Sequence, residues 1–387
     1  MKKIKPISFG KTLLINLGTF LVMLLILFLI GEGIARLAHE QTKAGPTAVN
    51  MKIFEASDTY VWGHKPGAVE YNGYGDPTPE IRINKLGFRD DEVLLTKYAN
   101  RKRVLVLGDS FTFGMGVAKD DNFVEVLEKM LNDNDDEFQY EVVNMGSIGY
   151  TIDNEYLLLK EKGSLLNPDI ILVGLFVGND ITEMQRHEWT LDDNENLISI
   201  VDTKHYVDEE NRLRYRGSEE PISYLWNFLY TRWQILEKKI GIYGDPNNGP
   251  TLTWPAFLEP EDEHGNPQLP EYWSKVELML VAIQKEADKI GADMKVFAIP
   301  MDVQTNKKYW DKYPEMYFDD DAWVKSRPQT KLNHYTKLMG IDFIDLLPYF
   351  RDADDSQWLY WEEKDPHWTP EGNKLAAEVL FNNIINE

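Results

Sequence analysis

Two side chains in this sequence could do chemistry together: Ser110 and His367. Ser110 lies in the segment RVLVLGDSFTFGMG, residues 103–116. Val104, Leu105, Val106 and Leu107 form a continuous apolar run, the pattern of a strand buried on both faces. Gly108 breaks the run just before Asp109 and Ser110. A serine hydroxyl is a weak nucleophile at neutral pH and needs an adjacent base. Among the seven histidines, His367 stands in a loop just ahead of a helical pattern with an acid, Asp365, beside it. That set fits nucleophilic acyl transfer: the serine attacks, the imidazole takes its proton, and the carboxylate orients the imidazole and stabilises its cation. A short G-D-S turn fits equally well a structural role in which Ser110 only caps backbone amides. Asp109 is expected to brace this turn. The decision rests on what else the chain brings to the same place.

A serine at a strand end is positioned by a sheet, so the alternation of elements matters next. After Ser110, the residues Phe123, Val124, Val126, Leu127 and Leu131 have helical spacing. A strand is predicted over 140–144, a helix over 154–162 and a buried strand over 169–176. Helix 272–290, strand 294–299, helix 325–339, strand 341–346 and helix 370–385 follow. Strands alternating with helices predict an α/β fold, a five-stranded parallel sheet covered on both faces in three α/β/α layers. The unusual loops, 108–110, 146–149, 178–180 and 365–368, follow strand ends or precede the last helix. A parallel sheet gathers its carboxyl ends at one edge, where open α/β folds bind ligands. A serine, two glycine turns, Asn179 and the Asp365/His367 pair are therefore expected to converge.

With those residues in hand, the chain from about residue 101 to its end resembles the SGNH/GDSL hydrolase family. Ser110 in G-D-S matches the family's first block. Gly149, five residues after Asn144, matches the second; Asn179 in G-N-D matches the third; His367 matches the last. The resemblance implies a flavodoxin-like domain with Ser110 as nucleophile and His367 as base. It also implies an oxyanion hole made by the Ser110 and Gly149 backbone N–H groups and the Asn179 side-chain amide. Turn chemistry is the plainer role for Asn179. The stretches 83–89, INKLGFR, and 111–114, FTFG, look like the membrane-anchored bacterial branch of the family. One element departs from the pattern. The usual D-x-x-H block would put an acid at position 364, which is Lys364. D-P-H-W-T, residues 365–369, is instead similar to the D-x-H-W-T element of alginate O-acetyltransferase-like SGNH proteins, where the pair precedes the serine. Asp365 is taken as the acid, with Glu363 as the alternative.

The net charge is −23, and residues 1–50 carry six Lys/Arg against two Asp/Glu, leaving −27 on the remainder. Such acidity argues against a nucleic-acid partner. The absence of cysteine excludes disulfides and thiolate chemistry. No phosphate loop or dinucleotide fingerprint is present, and the acidic runs 261–263 and 319–321 lack calcium-loop spacing. No metal and no cofactor are therefore expected. Lys2, Lys3, Lys5 and Lys11 precede an apolar run over 13–30, long enough to span a bilayer. A retained anchor fits this run better than a cleaved signal peptide, and the lysines put the amino terminus in the cytoplasm. The organisation expected is a basic tail over 1–12, an anchor over 13–31, and a tether with short strands over 32–100. An extracytoplasmic catalytic domain follows over 101–387, with insertions near 181–269 and 301–324.

Within the first insertion, 189–201 and 205–215 read as hairpins. Residues 222–240 form an amphipathic aromatic stretch carrying Tyr224, Trp226, Phe228, Tyr230 and Trp233. That stretch could be a sugar-stacking lid, a self-packed helix or a membrane contact. The second insertion carries Trp310, Tyr313, Tyr317 and Phe318. Arg89 is expected either near the site entrance or on the surface, paired with Asp90, Asp91 or Glu92. The function expected is a membrane-anchored serine esterase that cleaves an acyl ester, with O-acetyl on a carbohydrate favoured, through an acyl-enzyme. An O-acetyltransferase acting on a polysaccharide and a non-catalytic glycan-binding module of a polysaccharide assembly complex are the alternatives.

Overall fold

The computed structural model describes residues 9–42, 51–71, 79–135, 137–215, 223–226, 229, 233, 270–312, 327–354, 356–361 and 365–385. Glu363, Phe228, Tyr230, Tyr313, Tyr317, Phe318 and the acidic runs 261–263 and 319–321 lie outside the described residues. The chain forms two compact units, residues 1–45 with 218–250, and residues 46–217 with 251–387.

The first unit contains the long helix α1, Phe9–Thr42. Its stretch Ile15–Leu37 has a mean hydropathy of 2.4 and is apolar and long enough to cross a membrane.

The second unit is built on five parallel strands. They are β1 (Arg101–Leu107), β2 (Gln139–Asn144), β3 (Ile170–Phe176), β4 (Asp293–Ile299) and β5 (Asp342–Asp345). Every neighbouring pair is parallel. The order across the sheet is β5-β4-β3-β1-β2, the flavodoxin-like order, whose switch point falls between β1 and β3. Period-two alternation sends the strand side chains to two cores. Leu105, Leu107, Val143, Ile171 and Val173 enter one core, packed with helices α3 (Ile152–Glu161), α4 (Pro270–Ile290) and α5 (Arg327–Met339). Val104, Val106, Val142 and Leu172 enter the other, packed with α2 (Phe123–Asn134) and α6 (Pro370–Ile385). Helices on both faces explain why β1, β3 and β4 read as continuous apolar runs.

Local chemistry sets the ends of these helices. Asn122 caps α2, its side-chain oxygen accepting from the Val124 N–H at 2.7 Å. Pro370 opens α6, where its missing N–H costs nothing. The lead-in forms two hairpins, Phe54–Ser57 with Val61–His64 and Val69–Tyr71 with Glu80–Arg82. Phe54, Trp62, Ile81 and Ile83 bury their side chains in the first core. Two further hairpins pair His187–Leu191 with Leu197–Asp202, and His205–Val207 with Leu213–Tyr215.

Candidate active site

β1 delivers Ser110 to the sheet edge. At Gly108 the backbone passes so close to the next turn that a Cβ would stand 2.2 Å from Thr112 Oγ1, so only glycine fits. Asp109 then caps the short helix Ser110–Phe113, accepting from the Phe111 N–H at 2.9 Å. Gly114 closes that turn in the left-handed region, at φ 84°. Asp109 braces the turn, and Ser110 is left half-buried at its start.

The loop before α6 brings the candidate base, His367. The N–H of Thr369 donates to the Leu359 carbonyl, and the N–H of Trp361 to the His367 carbonyl. Trp368 is buried, in edge contact with Phe111. Asn373, in the first turn of α6, accepts from the Phe123 N–H at 3.0 Å and ties the loop to α2. In this frame Ser110 Oγ donates to His367 Nε2 at 2.7 Å. His367 Nδ1 donates to Asp365 Oδ1 at 2.5 Å, and the His367 backbone N–H reaches the same oxygen at 2.8 Å. The Phe111 ring lies 5.0 Å from the imidazole. One continuous chain of hydrogen bonds thus joins Asp365, His367 and Ser110. In that tautomer Nε2 has its lone pair turned to the hydroxyl.

The charges around His367 favour its cation. Burial works against imidazolium, but the Asp365 carboxylate, and Asp109 behind the serine, outweigh it and hold the His367 pKa above the ordinary histidine value. Under the turn lie two further fully buried carboxyls, Glu155 and Asp180. Burial, then repulsion from Asp109, pushes both well above the usual carboxylate range, with Asp153 adding to the effect on Glu155 and Glu155 to that on Asp180. Burial also raises Asp109.

Gly149 and Asn179 lie in the loops that follow β2 and β3, at the edge that carries Ser110. No hydrogen bond joins either of them to Ser110 or His367 among the described residues. Gly149 has φ 76°, a conformation that favours glycine. Its carbonyl accepts from Arg186 Nη2 at 2.5 Å. Asn179 stands ahead of the short helix Asp180–Glu183 without capping it by its side chain, and its buried Oδ1 has no partner among the described residues. The turn role is thus taken by its backbone carbonyl, which accepts from the Glu183 N–H at 2.7 Å.

Arg89 corrects both expectations made for it. It is 2% exposed, and it donates to the carbonyls of Phe113 and Gly114 through Nη1 and of Val117 through Nη2. It is a strut beneath the turn that carries Ser110. The acids at positions 90–92 pointed the sequence reading toward surface pairing, and no local pattern marks a side chain that serves carbonyls more than twenty residues away. Arg186 was missed for the same reason. It is buried, it bonds Asp202 Oδ2 at 2.8 Å and pairs with Glu183, and it holds the Gly149 loop from the hairpin insertion.

A nucleophile activated by a base, and a base oriented by an acid, can carry an acyl group from an ester to water or to another hydroxyl. No family model matches the chain, and no curated protein matches it by sequence. Several solved structures are similar in part. A catalytic mutant of the acetylxylan esterase Axe2 from Geobacillus stearothermophilus aligns at 12% identity and a TM-score of 0.40, over 76% of this chain and 98% of that one. The acetyl xylan esterase AlAXEase aligns at 14% identity and 0.39, over 73% of this chain and 100% of that one. TesA aligns at 11% identity and 0.37, over 74% and 99%.

Proposed function

We propose that this protein is a membrane-anchored serine esterase of the SGNH type acting on an O-acetyl ester of a carbohydrate, with Ser110, His367 and Asp365 as its triad. The observation that carries this reading is the unbroken hydrogen-bond chain from Ser110 Oγ through His367 to Asp365, at 2.7 and 2.5 Å. Ser110 Oγ attacks the ester carbonyl while its proton passes to His367 Nε2. Asp365 stabilises the imidazolium. The oxyanion is met by the Ser110 and Gly149 N–H groups and the Asn179 amide; one such donor is worth about 2.7–4 kcal/mol in the transition state. Collapse expels the alcohol, which takes the proton back from His367. Water, deprotonated by the same nitrogen, then attacks the acyl-serine and releases the acid, restoring the hydroxyl.

The choice of a carbohydrate acetyl ester rests on the resemblance of D-P-H-W-T to an O-acetyltransferase element and on the aromatic residues of the second insertion, which follows β4. That same element favours one second reading, in which a glycan hydroxyl replaces water in the last step. Anchoring rests on the apolar stretch Ile15–Leu37, with the amino terminus cytoplasmic and the sheet domain outside.

The test is turnover of p-nitrophenyl acetate by the full chain in detergent, wild type beside Ser110→Ala. The expected loss is roughly 10³–10⁶-fold. Equal turnover in both proteins overturns the serine mechanism. A burst without turnover, relieved by an added glycan acceptor, selects the transferase.

A further inference from the structure

Helix α1 is exposed along nearly all of Ile15–Leu37; only Gly31, Glu32 and Ala35 are partly shielded. Two of these three meet a distant segment of the same compact unit, Ser223 to Trp226. A Cβ at Gly31 would stand 2.8 Å from Leu225 Cδ2, so the glycine admits the leucine. Glu32 does more. Its Oε2 accepts from Ser223 Oγ at 2.8 Å and from the Leu225 N–H at 3.0 Å, and its Oε1 accepts from the Tyr224 N–H at 3.1 Å. Ser223 Oγ in turn accepts from the Trp226 N–H at 3.1 Å. Tyr224, Leu225 and Trp226 are helical. Their N–H groups, which no preceding turn of helix could satisfy, are thus taken by one carboxylate and one hydroxyl. Arg36 completes the knot: its Nε donates to Glu32 Oε1 at 2.8 Å, and its guanidinium lies 4.9 Å over the Tyr224 ring.

A carboxylate near the end of an apolar helix is expensive in hydrocarbon unless it is fully engaged. Glu32 is engaged by four donors. The contact therefore fixes where the second helical segment starts, close to the end of the apolar stretch of α1. Beyond that start, Trp226, Leu229 and Trp233 are helical and are 68%, 51% and 56% exposed. An indole has an apolar body and one N–H donor, and it favours the headgroup level of a bilayer.

We propose that Trp226, Leu229 and Trp233 insert at the headgroup boundary of a phospholipid bilayer, held beside α1 by the clasp of Glu32 on Ser223, Tyr224 and Leu225. The proposal rests on the reading of α1 as membrane-spanning. The occupant is lipid, because the exposed Trp226 directly follows residues held by Glu32 at the end of the helix that the same bilayer would surround. Insertion is driven by aromatic burial and needs no anionic lipid.

α1 contains no tryptophan, so quenching of tryptophan emission by lipid reports on other residues. The full chain is reconstituted in phosphatidylcholine vesicles, with and without lipid brominated in the upper acyl chain. Wild-type emission is expected to be quenched, and Trp226→Phe/Trp233→Phe to lose most of that quenching. Both replacements are at exposed positions and keep an aromatic ring, so the fold is not at stake. Glu32→Gln is expected to lower the quenching while the protein still floats with the vesicles. Equal quenching in wild type and the double variant overturns the lipid contact; equal quenching in Glu32→Gln overturns the clasp. Flotation after an alkaline wash tests α1 separately. A protein that fails to float refutes the spanning reading, and one that floats without Trp226- and Trp233-dependent quenching refutes this proposal alone.

Discussion

Two serine–histidine pairs stand at neighbouring strand ends of one sheet. Ser110, after β1, donates to His367 Nε2 at 2.7 Å; Ser147, after β2, lies 3.1 Å from His64 Nε2. By serine–imidazole geometry alone the two are close to equivalent. They differ in what stands behind the imidazole. His367 Nδ1 donates to the Asp365 carboxylate, whereas His64 Nδ1 lies 3.2 Å from the Gly87 carbonyl oxygen. A carboxylate stabilises the imidazolium that forms when a serine gives up its proton; a carbonyl offers a dipole and no net charge. Burial, opposed by that carbonyl and reinforced by the charges of Lys162 and Arg89, pulls His64 down to about 4. Burial opposes the His367 cation too, but Asp365 and Asp109 overcome it. Access separates the pairs as well: Ser147 and His64 are 2% and 3% exposed, while the His367 side chain is 16% exposed. A hydroxyl against an imidazole is thus a structural latch by default. A carboxylate against the far nitrogen and partial access are what a nucleophile and base would need, and of these two pairs only Ser110 and His367 have them.

That contrast can be broken or sharpened by experiment. Beyond Ser110→Ala, the largest effect is expected from Asp365→Asn, which gives His367 a neutral partner like the one His64 has. Turnover should fall roughly 10²–10⁴-fold. The proposed mechanism needs neutral Nε2, so the raised His367 pKa should put the acid limb of the wild-type profile above the ordinary histidine value. The variant's limb should move to lower pH, because the charge that raised it is gone. A limb that stays in place would assign the proton to another group.

Asn179→Ala tests whether the Ser110 edge carries an amide donor that the Ser147 pair lacks. The expected loss in kcat is about 10²–10³-fold with little change in KM; a change in KM alone makes Asn179 a binding residue. For His64 the effect is on stability and has a definite sign. Its folded pKa of about 4 lies below the ordinary 6.5, so between those values the unfolded chain takes up a proton that the folded chain refuses. Stability therefore falls as pH drops through that window, by about 3 kcal/mol in all. His64→Gln should flatten this fall in urea titrations at neutral and acid pH, and an undiminished fall assigns it elsewhere. The smallest effect belongs to Ser147→Ala: a stability loss of about 1–2 kcal/mol for one buried hydrogen bond, with turnover of p-nitrophenyl acetate retained. If turnover instead dropped as in Ser110→Ala, the two pairs would have to be considered one machine.

Much of the fold was legible in the sequence. The runs at 104–107, 169–176 and 294–299 read as strands because a doubly covered strand needs apolar residues on both faces. The helices 272–290 and 370–385 read as helices because their apolar positions recur with helical spacing. The hairpins at 189–201 and 205–215 were visible through their acidic turns. Ser110, Asn179, Asp365 and His367 stood out as candidates because each follows a strand or precedes a helix in a loop rich in turn residues. Trp226 and Trp233 were visible as aromatic residues, but their exposure was not.

The sequence by itself determined the elements, their order and the candidate side chains, because period-two and helical patterns and turn chemistry act over a few residues at a time. Only the tertiary structure decided the strand order, the meeting of Ser110 with His367 across 257 residues, the descent of Arg89 into the core and the grip of Glu32 on a segment 191 residues away. Contacts of that range depend on how whole elements pack, and no local pattern encodes them. The same holds for the division between the two serine–histidine pairs: each histidine is set by the charge and burial around it, and those exist only once the chain has folded.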